Sequence, residues 1–321
     1  MKLPKRNHYN PCFWTALWNP EYFRLVTTGG SPPSPPRKQP VHALSVKSGI
    51  TFPTTVERIH YDKNLGVAEI TREAAENFVR RHHPDRHEQF VRDNANETYP
   101  VFINFEEVLT ATENLPPYQV LLKVALTGQI ESSMEKANIG SFVILQCLRS
   151  HAIMNAMIDW HHELGYSKFE HFVTLKWMLS DTSALFNLVN PIVCCQWTLF
   201  AAGNETFPLC DSPILVNPQS IMVALSPKLL LEIKPHINAK EEQRPVCQQI
   251  STGKLEEYRC RTIGNTFREI IGDKHILECW QNTPEFRARI ALMQDVKNYN
   301  KMVLTEGERE LWQLNAYGNK G

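Results

Sequence analysis

A chain of 321 residues with 42% hydrophobic and 21% charged residues can bury an ordinary core, which excludes wholesale disorder. Lys+Arg and Asp+Glu each number 34, so the net charge is zero. That balance excludes a dedicated nucleic-acid coat and an acidic solvating tail, and leaves room only for a local charge patch. The length reads as a single domain over 1–321, with a Pro-rich exposed loop at 29–40, a mainly helical part at 71–182 and a sheet-containing part at 190–280.

The N-terminus has the charge of a signal-peptide start, but Asn10, Pro11, Asn19 and Pro20 interrupt any apolar stretch behind it. The longest apolar run, Leu185 to Ala202, carries Asn187, Asn190, Pro191 and Gln196. A spanning helix needs about 20 mostly apolar residues, so this run reads as a core strand region. A cytoplasmic protein with no membrane partner is expected. The eight cysteines form no C-x-x-C pair and most sit in apolar runs, which predicts reduced, buried thiols and no structural metal. The vicinal Cys194 and Cys195 read as small core hydrophobes.

Phe13, Trp14, Leu17, Trp18, Tyr22 and Phe23 recur at spacings of three and four, which predicts a short helix laying an aromatic face on the core. Two strand-like runs, Val41–Phe52 and Thr54–Tyr61, flank Pro53. Thr71 reads as the N-cap of a helix that ends at His83-Pro84. Helices are then predicted over 104–114, 117–133, 135–158 and 167–180. From Pro191 the pattern turns to short apolar runs, Ile192–Phe200, Pro213–Val216, Ile221–Leu225 and Leu229–Ile233, which predict sheet. Residues 238–250 read as a loop, Leu255–Ile271 as a helix, His275–Trp280 as a strand and Pro284–Asn298 as a last helix. The segregation of helices and strands gives an α+β fold, with the helical middle packed on a C-terminal mixed or antiparallel sheet.

No dinucleotide fingerprint, Walker loop, zincin motif or nucleophile elbow is present. Four local features can carry chemistry. His8 and Tyr9 stand beside the turn residues Asn10 and Pro11, and an imidazole there suits a general acid or base as well as it suits a plain surface histidine. Asp211 sits in a turn between two apolar runs, as a catalytic carboxylate or as a cap on its own backbone. Arg149 lies on a helix apolar almost all round, so its charge needs an internal partner or a ligand anion. Arg80, Arg81, His82, His83, Asp85, Arg86 and His87 form a solvated, phosphate-attracting stretch, where Pro84 argues against a metal site on one helix face.

The ordered combination of His8-Tyr9-x-Pro11, an aromatic-rich segment and a distal Asp211-x-Pro213 between strands resembles a large, mostly bacterial family called domain of unknown function 4238. Phe105 to Glu113 looks like that family's paired-acid helix, Leu148-Arg149-Ser150-His151 like its helix ending in arginine, and Ala224 to Ile233 like its Pro-Leu-Ser-Pro strand. Asn265 lies where the family tends to carry an asparagine on a late helix. Ser212 replaces the usual asparagine and Cys210 the usual serine or threonine. The resemblance implies positions and brings no reaction.

Two functions are expected from this reading. The first is a hydrolase acting on nucleic acid or nucleotides in a phage-defence or toxin setting. His8 and Tyr9 would work beside Asp211, with Arg149 and Asn265 holding the substrate; neither cofactor nor metal is specified. The second is a non-catalytic binding module in which His8, Asp211 and Arg149 form a buried network that fixes the fold. A solvent-open convergence of these groups favours the first, and a closed, satisfied network the second.

Overall fold

A computed structural model describes residues 7–8, 10–62, 67–104, 113–150, 167–180, 182–235 and 245–295. Strand β1 (Asn7–His8) leads into helix α1 (Cys12–Thr15), a 3-10 turn and helix α2 (Pro20–Thr27), capped by the Asn19 side chain with Pro20 in its first turn. The aromatic cluster does what its spacing predicts. Trp14, Leu17 and Trp18 are buried, and the two indoles donate to the carbonyls of Leu225 at 3.0 Å and Phe207 at 2.7 Å. Those two bonds satisfy the indoles while their rings fill the core, so the N-terminal segment is fastened to the far end of the chain.

The loop at 29–40 is exposed along most of its length. Its end is stitched down, because Gln39 is buried, donates to the Ser34 carbonyl at 2.6 Å and accepts from the Val56 amide at 3.1 Å. Strands β2 (Pro40–Ser45) and β3 (Thr51–Thr55) then form a hairpin. Its turn needs Gly49, whose φ is +70° and whose added Cβ would meet Ile290 at 3.0 Å. Pro53 lies inside β3 rather than between two strands. β3 is the edge of its sheet, where a missing N–H leaves no ladder bond unmade. Residues 56–58 are a 3-10 turn, and β4 (Tyr61–Asp62) pairs with β1.

Strands β5 (Val67–Ile70) and β6 (Val101–Asn104) pair with each other and enclose helices α3 (Arg72–His82) and α4 (His87–Asp93). The Thr71 hydroxyl caps α3 as expected. Of the helix expected over 104–114, Asn104 ends β6, and residues 105–112 lie outside the described residues. Helix α5 (Pro116–Thr127) ends at left-handed Gly128, and α6 (Ser133–Arg149) is capped by Ser132. α6 is buried on nearly every side. It approaches the helix of Val189 and Val193 closely: a Cβ on Gly140 would sit 3.1 Å from the first and 3.3 Å from the second. Ser150 turns to an extended conformation, which ends the helix at Arg149.

Helices α7 (Lys168–Ser180) and α8 (Thr182–Val193) follow. The run expected as strand from Ile192 is thus helical through Val193. Pro191 is tolerated there because it stands in the last turn, and β7 (Gln196–Ala201) starts only after Cys194 and Cys195. Cys194 is exposed and Cys195 half-buried, so the pair is not core filling. All eight cysteines are free thiols, but only Cys147 and Cys210 are buried.

Strands β8 (Leu209–Cys210), β9 (Leu215–Asn217), β10 (Ser220–Ser226), β11 (Leu229–Lys234) and β12 (Val246–Gln249) precede helix α9 (Thr252–Asn265) and strand β13 (Glu269–Gly272). Helices α10 (Lys274–Gln281) and α11 (Pro284–Asp295) close the described chain. β12 falls in the expected loop, β13 in the tail of an expected helix, and α10 in an expected strand. Asp273 explains the last: its carboxylate caps the amides of His275 and Ile276 and starts a helix that buries Leu277 and Trp280.

One sheet has the order β12-β7-β11-β10-β9, antiparallel except for the parallel β12–β7 pair. The other, β3-β2-β13-β8, is wholly antiparallel. The fold is α+β, and the helical middle does pack on the mixed sheet. The second sheet interleaves N-terminal with C-terminal strands, so sheet is not confined to the C-terminal part. Among the described residues no helix is long and apolar enough to cross a membrane.

Candidate functional site

The candidate residues meet where β1, β4, the ends of β8 and β13 and the C-terminus of α6 come together. Arg149 ends α6, where a cation also complements the helix dipole. Only 1% of its side chain is exposed. Its Nε donates to the His8 carbonyl at 2.9 Å, and its Nη1 lies 2.5 Å from the Glu113 carboxylate. Glu113 is 21% exposed, so the pair spans from interior to surface. The His8 ring is half-buried and packs 5.9 Å from the Tyr61 ring across the β1–β4 pair. Arg149 is therefore held by the backbone of His8 and by an acid, the internal partner its surroundings require.

Asp211 follows β8 and is 1% exposed. One carboxylate oxygen accepts from the Phe267 amide at 3.0 Å and the other from the Arg268 amide at 2.6 Å. It caps the bend between α9 and β13, not its own turn. Burial pushes the acid up to about 6 against the pull of those two amides, and against the more distant charges of Arg268 and Arg289. Asn265, at the end of α9, donates to the carbonyls of Ser212 at 2.8 Å and Ile214 at 3.3 Å. It holds the Asp-Ser-Pro turn in place. Tyr9 lies outside the described residues, as do Glu106 and His151.

Several members of this layer escaped the sequence reading. Asn10 donates to the Cys210 carbonyl at 3.0 Å and to Nδ1 of His60 at 2.9 Å, and accepts from the Gln146 amide at 2.8 Å. With Nδ1 accepting, the His60 proton sits on Nε2 and is donated to the Glu269 carbonyl at 3.2 Å. His60 has φ +49°, an uncommon backbone for a non-glycine residue, and its two ring bonds hold it there. Burial, with a smaller contribution from the His8 charge, drives its imidazole down to about 3, so it stays neutral. Burial and then the charge of Asp211 raise Glu269 to about 7, despite the opposing charge of Arg268. Arg268 donates to the Tyr61 carbonyl at 2.7 Å and ties β4 to the same bend. Asn10 was legible as part of His8-Tyr9-Asn10-Pro11. Nothing local marks His60 or Glu269, which only the β1–β4 and β2–β13 pairings bring in.

These shifts set a pH dependence. Asp211 and Glu269 have folded values raised above their unfolded ones, so their ionisation opposes folding and that cost is relieved as pH falls. His60 has a lowered folded value, so stability is lost as pH falls below the unfolded histidine value. Between pH 7 and pH 5 two carboxyls oppose one imidazole, at about 1.4 kcal/mol per proton and pH unit. The protein is expected to be about 1–2 kcal/mol more stable at pH 5 than at pH 7. Urea midpoints at the two pH values check this, and a lower midpoint at pH 5 would refute the assignment.

Among the described residues, one group outside this layer has metal-ligand spacing: Glu256, Cys260 and Glu285, all exposed. Arg259 already pairs with both carboxylates, which neutralises the site a cation would use. No family model matches the chain, and neither a curated protein nor a solved structure matches it.

Proposed function

We propose that the protein is a non-catalytic binding module, with nucleic acid or nucleotide as partner, and that His8, Asp211, Arg149 and Asn265 hold its fold together. The observation that carries this reading is Asp211: both of its oxygens accept backbone amides and the residue is buried. A general base must be presented to a substrate proton, and a buried carboxylate fixed by two backbone amides is not. An anion clamp needs an open guanidinium, whereas Arg149 is buried against Glu113 and the His8 carbonyl.

A second reading, the hydrolase of a defence or toxin system, is favoured by one observation. Glu269 is raised to about 7, a value suited to acid–base chemistry at neutral pH, and the His8 imidazole is half-buried in the same layer. The resemblance to the domain of unknown function 4238 family is compatible with both. Purified protein assayed for phosphodiester and nucleotide hydrolysis decides between them. The binding reading expects no turnover above that of a His8→Ala, Glu269→Gln double variant. Turnover that both single substitutions abolish, in proteins melting within a few degrees of the unsubstituted chain, would establish the hydrolase instead.

A further inference from the structure

The corner where α3 meets α4 is a basic part of the described surface that the buried layer does not use. The whole chain is charge-balanced, yet the eight residues from Arg80 to His87 hold three arginines and three histidines against Asp85. Arg80, His82, His83 and Arg86 are exposed. A helix C-terminus commonly carries basic residues for its dipole alone. Two further features distinguish this one.

The first is a base of aromatic rings in tilted and edge-on contact. The Phe78 ring lies 4.7 Å from the His82 ring and 6.5 Å from His83, and packs 5.4 Å from Phe169 of α7. The two imidazoles therefore rest on a supported hydrophobic surface with their outer sides toward solvent. The second is rigidity. Arg81 pairs at 3.1 Å with Glu170, a buried acid in the first turn of α7. At the opposite end, Arg72 donates to the carbonyls of Asn94, Ala95 and Glu97 and stacks 5.1 Å over the Tyr99 ring. The unit is thus bolted at both ends, and it displays Arg80 and Arg86 beside flat rings, Arg86 lying 3.9 Å from the equally exposed Asp85 carboxylate.

We propose that this corner binds single-stranded nucleic acid, with Arg80 and Arg86 on backbone phosphates and the His82 and His83 rings as a stacking face for bases. Cations tracking a backbone beside rings that accept any base are the recognition chemistry of sequence-tolerant single-strand binding. The inference rests on the binding-module reading and gives it a site. Two or three neutralised phosphates imply a salt slope of about −1.5 to −2, since each contributes roughly −0.7 on a single strand.

The test is fluorescence anisotropy of the full chain with a labelled 12-nucleotide oligothymidylate at low salt, and with an equal-length duplex. Expected are salt-dependent binding that prefers the single strand, and a loss of about tenfold or more in the Arg80→Gln, Arg86→Gln double variant. Replacing exposed Lys47 by Gln should leave binding unchanged. Absence of binding, an equal loss in the Lys47 variant, preference for duplex, or capture by phosphatidylserine vesicles in place of the oligonucleotide would each overturn the proposal. Hydrolysis by the wild-type chain would overturn the non-catalytic reading and leave this surface standing, so the two failures are separable.

Discussion

Arg149→Met is expected to lower stability by about 3 kcal/mol, the lower end of the range for breaking a buried ion pair. The lost interactions are the bond to the His8 carbonyl and the pairing with Glu113. The methionine fills the space but leaves the carbonyl without that donor and the carboxylate without that cation. Because Glu113 is 21% exposed, water recovers part of its solvation, which keeps the cost from the upper end. For a chain of this size, a fall in melting temperature of about 4–5 °C follows. If Arg149 instead awaited a ligand anion, the free protein would carry uncompensated positive charge there, and the substitution would leave the melting temperature unchanged or raise it.

The second large effect belongs to Asn10. Asn10→Ala removes three hydrogen bonds in one step, to Gln146, His60 and the Cys210 carbonyl. Each made bond contributes about 1 kcal/mol net, and a buried group left unsatisfied costs about 1–3 kcal/mol. The sum is about 3–5 kcal/mol, softened if water enters the space. The loss should also release His60, whose φ of +49° would then have fewer bonds holding it. Asn10→Asp separates charge from shape. It keeps the acceptor for Gln146 but sets a carboxylate against the Cys210 carbonyl, so it should destabilise as well. Thermal melts that match wild type for both variants would show that the N-terminal segment is peripheral to the fold.

What could be read from the sequence follows from how local each signal is. The aromatic spacing from Phe13 to Phe23, the cap at Thr71 and the isolation of Arg149 in an apolar helix were all legible, because neighbours along the chain decide them. Arg149 was expected to need an internal partner or a ligand anion; the structure pairs it with Glu113, which lies in the segment that resembles the family's paired-acid helix. The misread segments are those where context overrides pattern. His275 to Trp280 is short and apolar enough for a strand, but Asp273 caps it into a helix. The run through Ile192 is β-branched and apolar, yet it continues α8, whose last turn tolerates Pro191. The sheet β3-β2-β13-β8 pairs Ser45 of β2 with Glu269 of β13, residues far apart along the chain, and no local pattern announces such pairing.

The same distinction runs through the site. Asp211 and Arg149 were found because each stands out against its neighbours, and Asn265 through the family resemblance. Their partners were not, because those partners are mostly backbone: the amides of Phe267 and Arg268, and the carbonyls of His8, Ser212 and Ile214. A sequence displays side chains, so it shows a carboxylate in a turn without showing which amides it will cap. Asp211 therefore looks equally suited to catalysis and to structure until the α9–β13 bend is placed against it.

Native-state hydrogen exchange at the amides of Phe267 and Arg268 tests the structural role of Asp211 most directly. Both lie in a bend outside any helix or strand, where an amide facing water exchanges fast. If Asp211 is closed on them, they should exchange only with global unfolding, as slowly as the buried strand β10. Exchange at the rate of an exposed loop would mean that the carboxylate is open and available, and the hydrolase reading would take its place.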